Sequence, residues 1–328
     1  MIARIANYTA LVVLAPICLS TVAYVGFTTN YTRGTFSPES FRASYSHSVF
    51  KYRVVGREAL LGFHQRFRGV FDKAPTDARL NVLDPKADAG FYTAYFLFNT
   101  FFLILAAAAL AIFLGRYARN HNRYVRNLMV LAAIAVMALT QFVVTPYDNL
   151  ANFLLLTMAI LYMLPGKVGW ISSALLMVLA TLNRESSAML PALAWALYFK
   201  AHGWRFTAAI IKPAAVSAAF VLTFVGVRLF LGGSGDAVYK LYVAGNLKEI
   251  FVLGLVAVTY TSLVLINPGR DHRRLAILFL LFCAPYLILI FMVGVISELR
   301  IFVPPFLFLL LVSALDPEHV PGSGRAES

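Results

Sequence analysis

The stretch "FYTAYFLFNTFFLILAAAALAIFLGRYARNHNRYVR", residues 91–126, joins a long apolar run to a group of basic residues. Residues 91–114 contain no charged side chain. At about 1.5 Å per helical residue, a run of this length exceeds the roughly 30 Å of hydrocarbon in a bilayer. The next residues, 116–126, hold four arginines. This pattern is typical of a helix that crosses a membrane and ends at its cytoplasmic face.

The composition of the whole chain leads to the same class of protein. Of its 328 residues, 60% are hydrophobic and only 13% are charged, and the mean hydropathy is +0.75. Soluble domains average roughly 45–50% apolar and 25% charged residues. The apolar runs follow one another with short polar breaks, which predicts an all-α, polytopic bundle in the bilayer. We expect one bundle over residues 1–315, including an outer loop at 31–92, and a disordered cytoplasmic tail at 316–328.

Apolar runs separated by polar breaks predict about ten transmembrane helices. The predicted segments are 7–29, 91–114, 127–145, 150–165, 168–182, 187–199, 213–231, 250–266, 275–296 and 301–315. The first run resembles the apolar part of a signal peptide, but it is long enough to span, so we expect an uncleaved anchor. Basic residues concentrate in the short connections 116–126, 200–212 and 267–274. Ten crossings place these connections and both termini on one face, which the positive-inside rule makes cytoplasmic.

The net charge is +13, but the Lys and Arg residues that produce it lie between the apolar runs and form no basic domain. We therefore expect no nucleic-acid partner. Cys18 and Cys283 both lie within apolar runs, which supports neither a disulfide nor a metal site. The histidines never pair at ligand spacing, so no metal ligands are predicted. The residues imply no cofactor and leave open whether a divalent metal assists.

Three polar turns fall on the opposite face: "TPYDN" (145–149), "NRESS" (183–187) and "SELR" (297–300). The segments that flank them hold about 13–16 residues and reach roughly 20–24 Å, less than the hydrocarbon thickness. We therefore expect these turns to lie below the outer surface and to line a polar cleft. In one alternative, Arg184 neutralises Glu185 and Arg300 neutralises Glu298 as structural pairs. In another, 168–199 is a single kinked helix.

The outer loop contains "HSVFKYRVVGREALLGFHQRFRGVFDK", residues 47–73, which mixes aromatic, aliphatic and basic residues. This mixture predicts one or two amphipathic helices in the membrane interface, weakened by Gly56 and Gly62. Arg53 and Arg57 stand one helical turn apart, so we expect them to share one anion such as a lipid phosphate. The alternative is simple anchoring to anionic phospholipid.

Carboxylates and arginines are the groups on this face that can perform chemistry. A carboxylate can act as a general base, while arginines bind a leaving phosphate. This combination fits glycosyl transfer from a lipid phosphate. No Gly-rich phosphate loop is present, which argues against an ATP-driven transporter. The candidate catalytic residues are Asp148, Glu185, Glu298 and Glu39, and the candidate donor-phosphate ligands are Arg53, Arg57, Arg184 and Arg300.

Four stretches carry a resemblance to a known family: "KYRVVGR", "PYDNLANFLLL", "TLNRESSAMLPAL" and "ELRIFVPPFLFLL". Together with the long first outer loop, they resemble multi-pass glycosyltransferases of the C-type superfamily and the related bacterial polysaccharide polymerases. The resemblance implies a polyprenyl-phosphate-linked sugar donor and a glycan or lipid acceptor. It also implies a role in the synthesis of cell-envelope polysaccharide or glycolipid. It also implies a location in the bacterial cytoplasmic (inner) membrane, with the reaction at its outer face.

The resemblance is incomplete at one position. Members of that superfamily commonly place a catalytic aspartate just after the first helix, where "NYTRGTFSPESFR" (30–42) offers only Glu39. Glu39 or Glu58 takes this role, or Asp148 does, or the chain is not a transferase. We favour Asp148, because Pro146 ends the preceding segment and the side chain should then face the cleft. The alternative is that Asp148 is only a helix cap.

Two other functions also fit a bundle with buried charge: a lipid or glycan flippase or secondary transporter, and a noncatalytic subunit of an envelope complex. Transporters often show inverted repeats and charges near the membrane midplane. No internal repeat is evident here, and the charges gather at one face. This distribution favours an enzyme.

Overall fold

A computed structural model describes residues 8–26, 37–45, 48–71, 88–141, 145–232, 241–266, 269–316 and 319. These residues are almost entirely helical, and no strand occurs among them, as the composition predicts. The α-helices are α1 (Ala15–Gly26), α2 (Pro38–Tyr45), α3 (Val54–Arg66), α4 (Arg68–Phe71), α5 (Ala89–Tyr117), α6 (Arg123–Leu139), α7 (Asp148–Tyr162), α8 (Gly166–Asn183), α9 (Met189–His202), α10 (Ile211–Leu231), α11 (Val243–Asn246), α12 (Ile250–Leu265), α13 (Arg270–Val293) and α14 (Val303–Ala314). Short π or 3-10 turns precede several of them: Ala10–Leu14, Ser48–Tyr52, Glu185–Ala188, Ala208–Ile210 and Leu299–Phe302.

Each of the ten predicted apolar segments coincides with a helix of the described residues, namely α1, α5 to α10 and α12 to α14. Four of these helices are long and apolar enough by length and composition to cross a membrane: Ala89–Tyr117, Gly166–Asn183, Ala208–Leu231 and Arg270–Val293. The chain is therefore a helical membrane protein, with fewer long spans than the ten crossings predicted. Parts of segments 7–29 and 127–145 and most of the tail 316–328 lie outside the described residues.

Hydrogen bonds between helices establish that α5, α7 and α14 run in the same direction. At one end of the bundle, the Asn149 side-chain amide donates to the Asn99 carbonyl over 3.2 Å. At the other end, the Asp316 carboxylate, just after α14, accepts from the backbone N–H groups of Arg119 and Asn120 at 2.6 and 3.1 Å. The three helices therefore begin at the end with the polar turns and finish at the end with the first basic connection.

Helices α8 and α9 form a hairpin around the turn at residues 184–188. Ser173 of α8 donates to the Met158 carbonyl over 2.8 Å, so α8 runs back along α7 from the basic end. Lys200 near the end of α9 forms an ion pair with Asp271 over 2.9 Å, and His272 beside it contacts the Leu315 carbonyl. Helix α9 therefore returns to the basic end. The alternative of one kinked helix over 168–199 is wrong.

The bundle thus has two chemically different ends. The basic end carries the connections 116–126, 200–212 and 267–274, of which residues 267–268 lie outside the described part. The polar end carries the three turns that contain Asp148, Arg184 and Arg300, because α7, α9 and α14 all begin there. Helices α7, α9 and α14 contain 15, 14 and 12 residues, short as predicted, whereas α8 has 18.

Helix α3 from the outer loop packs directly over the polar end. It continues through both Gly56 and Gly62, so neither glycine interrupts the helix. Gly56, Leu60 and His64 are buried at a spacing of four residues and form its inner face. A Cβ atom at Gly56 would lie 2.8 Å from Asn183 Oδ1 and 2.9 Å from Tyr147 Cβ. Only a glycine lets the backbone of α3 approach the site this closely.

This close approach predicts opposite effects for the same substitution at two glycines of α3. Gly62→Ala is expected to raise stability by about 0.5–1 kcal/mol, since alanine favours a helix and a Cβ there meets no atom within 4 Å. Gly56→Ala is expected to lower stability by about 1–3 kcal/mol through overpacking. Thermal unfolding of both variants in one detergent measures the difference. If Gly56→Ala raises stability as much as Gly62→Ala, then α3 is not in close contact with Tyr147 and Asn183.

Candidate functional site

The first of two charge networks at the polar end centres on Asp148, which is 1% exposed. One of its carboxylate oxygens pairs with Arg184, and the other accepts from Arg300 Nη1 over 2.9 Å. The same Nη1 atom lies 3.1 Å from Thr145 Oγ1, and Arg300 Nη2 lies 2.7 Å from Glu298 Oε2. Asp148 therefore joins all three polar turns.

The second network centres on Glu185, whose side chain is 19% exposed. Arg53 donates to Glu185 Oε2 from Nη2 at 3.1 Å and from Nε at 3.2 Å. Arg228 Nη2 of α10 lies 3.3 Å from Glu185 Oε1. Burial raises the pKa of the Glu185 carboxyl, but Arg53 and Arg228 lower it, and the resulting pKa lies below the ordinary value. Glu185 is therefore ionised at neutral pH and holds both arginines.

The backbone at residue 184 explains why the two networks are separate. Arg184 has extended φ and ψ angles of −164° and 145°, between the end of α8 and the 3-10 turn Glu185–Ala188. Adjacent side chains around an extended residue point to opposite sides. Arg184 consequently reaches Asp148 while Glu185 faces Arg53 and Arg228. The alternative of an Arg184 to Glu185 pair is wrong, whereas the Glu298 to Arg300 pair is present.

The Tyr147 ring lies between the two networks. The guanidinium carbon of Arg53 is 4.6 Å from its centroid, and that of Arg184 is 5.7 Å away. Arg228 lies over the rings of Phe224 and Tyr52 at 3.5 and 4.8 Å. Stacking on aromatic rings orients a guanidinium group and partly removes it from water. These arginines are held in place before any ligand arrives.

A cavity of about 440 Å³ opens beside Glu185. One wall is polar and contains Arg53, Arg184, Glu185, Ser186 and Arg228. The opposite wall is formed mainly by apolar side chains of α10, α13 and the turn after α13: Phe224, Tyr286, Leu289, Ile290, Val293 and Ile301. A volume of this size suits a small molecule or a lipid headgroup with the start of its chain.

Two polar atoms in this wall have no hydrogen-bond partner in the described structure. They are Ser186 Oγ, on a residue that is 1% exposed, and Arg228 Nε. A buried polar atom without a partner costs roughly 1–3 kcal/mol. Neighbouring atoms cover both of them, so a ligand in the cavity can bond to them only after a side chain moves.

The total charge of the two networks favours an anionic ligand. Four guanidinium groups, those of Arg53, Arg184, Arg228 and Arg300, face three carboxylates, those of Asp148, Glu185 and Glu298. Four positive charges minus three negative charges leave one positive charge. Buried charges are stable only when they are paired. One monovalent anion in the cavity completes the balance.

The predicted site residues divide into three groups. Arg53, Arg184 and Glu185 line the cavity as expected. Asp148, Glu298 and Arg300 lie behind it in the first network, and Asp148 does not face the cleft as predicted. Asp148 is not the helix cap either, because Tyr147 occupies that position and no side chain caps α7.

Arg57 and Glu39 also lie away from the cavity wall. Arg57 pairs with the neighbouring Glu58 over 2.7 Å and does not share the cavity with Arg53. Glu39, in the first turn of α2, is exposed. The prediction that Arg53 and Arg57 bind one anion together is therefore not met by this arrangement, in which Arg228 stands beside Arg53.

Sequence reasoning missed Arg228. This arginine lies inside the predicted span 213–231, three residues before its end. An ionisable residue within an apolar span is a functional candidate by default, and this rule was sufficient to select it. Only the fold shows that its partner is Glu185.

The excess positive charge of the two networks attracts an anion and repels a metal cation. In the part of the chain that is described, no three His, Cys, Asp or Glu side chains are grouped to hold a metal.

Comparisons of this chain with protein-family models, with curated proteins and with solved structures find no match. The class of protein is thus given by the fold and the site: a helical membrane protein with a positively charged cavity at one end.

Proposed function

We propose that this protein is a membrane-embedded glycosyltransferase that takes sugar from a polyprenyl-phosphate-linked donor. Its reaction occurs at the outer face of the bacterial cytoplasmic membrane, in the synthesis of envelope polysaccharide or glycolipid. The observation that carries the proposal is the composition of the cavity, which combines three arginines, one carboxylate and an apolar wall. A lipid-phosphate sugar has the matching parts: an anion, a sugar and a hydrocarbon chain.

The proposal includes ten membrane crossings with both termini in the cytoplasm. Alternating helix directions and the concentration of basic connections at one end support this topology. The cavity then lies on the outer side, below the headgroup level, because the helices beside it are short. A lipid of the outer leaflet then reaches the polar wall when its phosphate sinks slightly below the other headgroups.

Donor binding follows from the charge balance. A sugar linked to a single phosphate forms a phosphodiester with one negative charge, which equals the excess positive charge of the two networks. Guanidinium groups bind phosphate oxygens through paired N–H donors. We assign Arg53 and Arg228 to the phosphate, since both reach the cavity and are held by aromatic rings. The polyprenyl chain lies against the apolar side chains of α13.

Glu185 is the general base in this scheme, because among the described residues it is the carboxylate that lines the cavity. Once the phosphate draws Arg53 and Arg228 away from Glu185, the pKa of the carboxylate rises and it becomes a better base. Glu185 then takes the proton from an acceptor hydroxyl, whose oxygen attacks the anomeric carbon. The bond from that carbon to the phosphate oxygen breaks, and its electron pair stays on the polyprenyl phosphate, where the arginines stabilise the added charge.

The experiment uses purified protein in proteoliposomes with radiolabelled polyprenyl-phosphate sugars and candidate acceptors added on one side at a time. We expect transfer of label to an acceptor on the side of the polar end. Movement of labelled lipid between leaflets without transfer would instead establish a flippase. Neither transfer nor movement, with donor bound, would establish a noncatalytic subunit.

A further inference from the structure

A second cavity, of about 700 Å³, lies at the basic end of the bundle, away from the charge networks. It lies where the start of the first helical segment (residues 8–26) meets the end of α5 and the start of α6. Its polar lining comes from Tyr8, Thr9, Arg123, Arg126 and Asn127. The proposed transferase reaction uses none of these residues.

The polar side of this cavity is one face of α6. Arg123, Arg126, Asn127 and Val130 follow one another at helical spacing and all line the cavity. The Asn122 side chain caps α6 by accepting from the N–H groups of Tyr124 and Val125 at 2.6 and 3.2 Å. Two N–H groups of the first turn are therefore already bonded. A ligand in this cavity would bind mainly to the arginine side chains.

Neither arginine has a carboxylate partner among the described residues. Within that part of the chain, the ion pairs of the basic end join Lys200 to Asp271 and His319 to Asp316. The Asp316 carboxylate also accepts from the backbone N–H groups of Arg119 and Asn120. Two guanidinium groups separated by one helical turn consequently face the same cavity, and no carboxylate of the described residues pairs with either.

The other side of the cavity is apolar and has room for a chain. Ala111, Leu114 and Gly115 of α5 and Leu11 of the first segment form it. A Cβ atom at Gly115 would meet no atom within 4 Å, so space continues beyond the helix backbone. A basic rim directly beside an apolar groove matches a molecule with an anionic head and a hydrocarbon tail.

We infer that this cavity binds an anionic glycerophospholipid, with its phosphate on Arg123 and Arg126 and one acyl chain along Ala111 and Gly115. Basic pockets between membrane helices bind anionic headgroups in this way. The inference does not rest on the proposed transferase function, because the two cavities lie at opposite ends. A phospholipid here holds the first helical segment, α5 and α6 together.

The test is native mass spectrometry of the full-length protein in detergent with equimolar phosphatidylglycerol and phosphatidylcholine. We expect retention of phosphatidylglycerol with a preference of about tenfold or more over phosphatidylcholine. The double variant R123Q/R126Q is expected to lose this preference. The matched control R270Q/R274Q removes two exposed charges from the same end and is expected to keep it. Gly115→Leu fills the groove without changing charge and is expected to weaken retention.

Three results would overturn the inference. Equal losses in the two double variants would mean that binding follows the general charge of this end. Displacement of the lipid by millimolar inorganic phosphate would identify a site for a soluble anion. Unchanged retention in Gly115→Leu would show that no acyl chain enters the groove. Lipid held in the cavity beside Glu185 affects all variants equally, so differences among them report the basic end alone.

Discussion

Asp148→Asn is expected to destabilise the bundle by about 3–5 kcal/mol, the cost of breaking a buried ion pair by removing one partner. Asp148 is the carboxylate shared by Arg184 and Arg300, and these residues are 5% and 6% exposed. An asparagine keeps the shape but leaves two guanidinium groups buried with one fewer negative charge. Thermal unfolding in detergent, monitored by size-exclusion chromatography, measures the loss of stability.

The control for this prediction is Asp271→Asn, the same chemical change at the exposed pair with Lys200. We expect little change there, because exposed ion pairs contribute little to stability. Glu298→Gln should fall between the two, since among the described residues Glu298 pairs with Arg300 alone and its side chain is 15% exposed. If Asp148→Asn unfolds at the same temperature as Asp271→Asn, then Asp148 does not hold the three turns together.

Glu185→Gln is expected to slow sugar transfer by about 10²- to 10⁴-fold while the protein stays folded, because a general base contributes about this much to a rate. Glutamine matches the size of glutamate but cannot accept the proton at neutral pH. The loss should appear in the maximal rate at saturating donor, since Arg53 and Arg228 still bind the phosphate. Single-turnover transfer with labelled donor in proteoliposomes measures it.

Glu298→Gln serves as the matched control for the rate, because Glu298 lies at the same end but does not line the cavity. Its rate is expected to stay near that of the unchanged protein. The three carboxylates of the polar end thus separate by role: Asp148 affects folding, Glu185 affects the rate, and Glu298 affects neither strongly. A folded Glu185→Gln protein with a normal rate would remove Glu185 as the base.

Much of the fold follows from local patterns. The ten apolar segments were predictable because an apolar run long enough to form a helix is a property of neighbouring residues. The common side of the three basic connections was predictable for the same reason, since charge near a span controls its orientation. The length of α8 was underestimated by three residues, because Gly166, Lys167 and Asn183 belong to the helix, whereas the apolar run covers only 168–182.

The site was only partly predictable. Arg184 and Glu185 were selected because charge inside an apolar stretch is costly and needs a reason. The alternative that they neutralise each other was wrong, and their true partners were not predicted, since sequence adjacency does not show which way each side chain points. Asp148 was expected in the cleft, and the structure buries it between two arginines. Arg228 was missed although its place inside an apolar span marked it as a candidate. Its pairing with Glu185 was not predictable, because the two residues are 43 positions apart in the chain.

The sequence by itself determined a helical membrane protein with charged turns gathered opposite its basic connections, because hydropathy and charge are carried by individual residues. The tertiary structure alone decided which of those charges neutralise one another and which face a cavity. These pairings depend on the packing of helices that are far apart in the chain. The close approach of α3 at Gly56 places Arg53 beside Glu185, and the packing of α10 places Arg228 beside the same carboxylate. A difference of a few ångströms in the position of a charged group decides whether it forms a structural ion pair or lines a binding site.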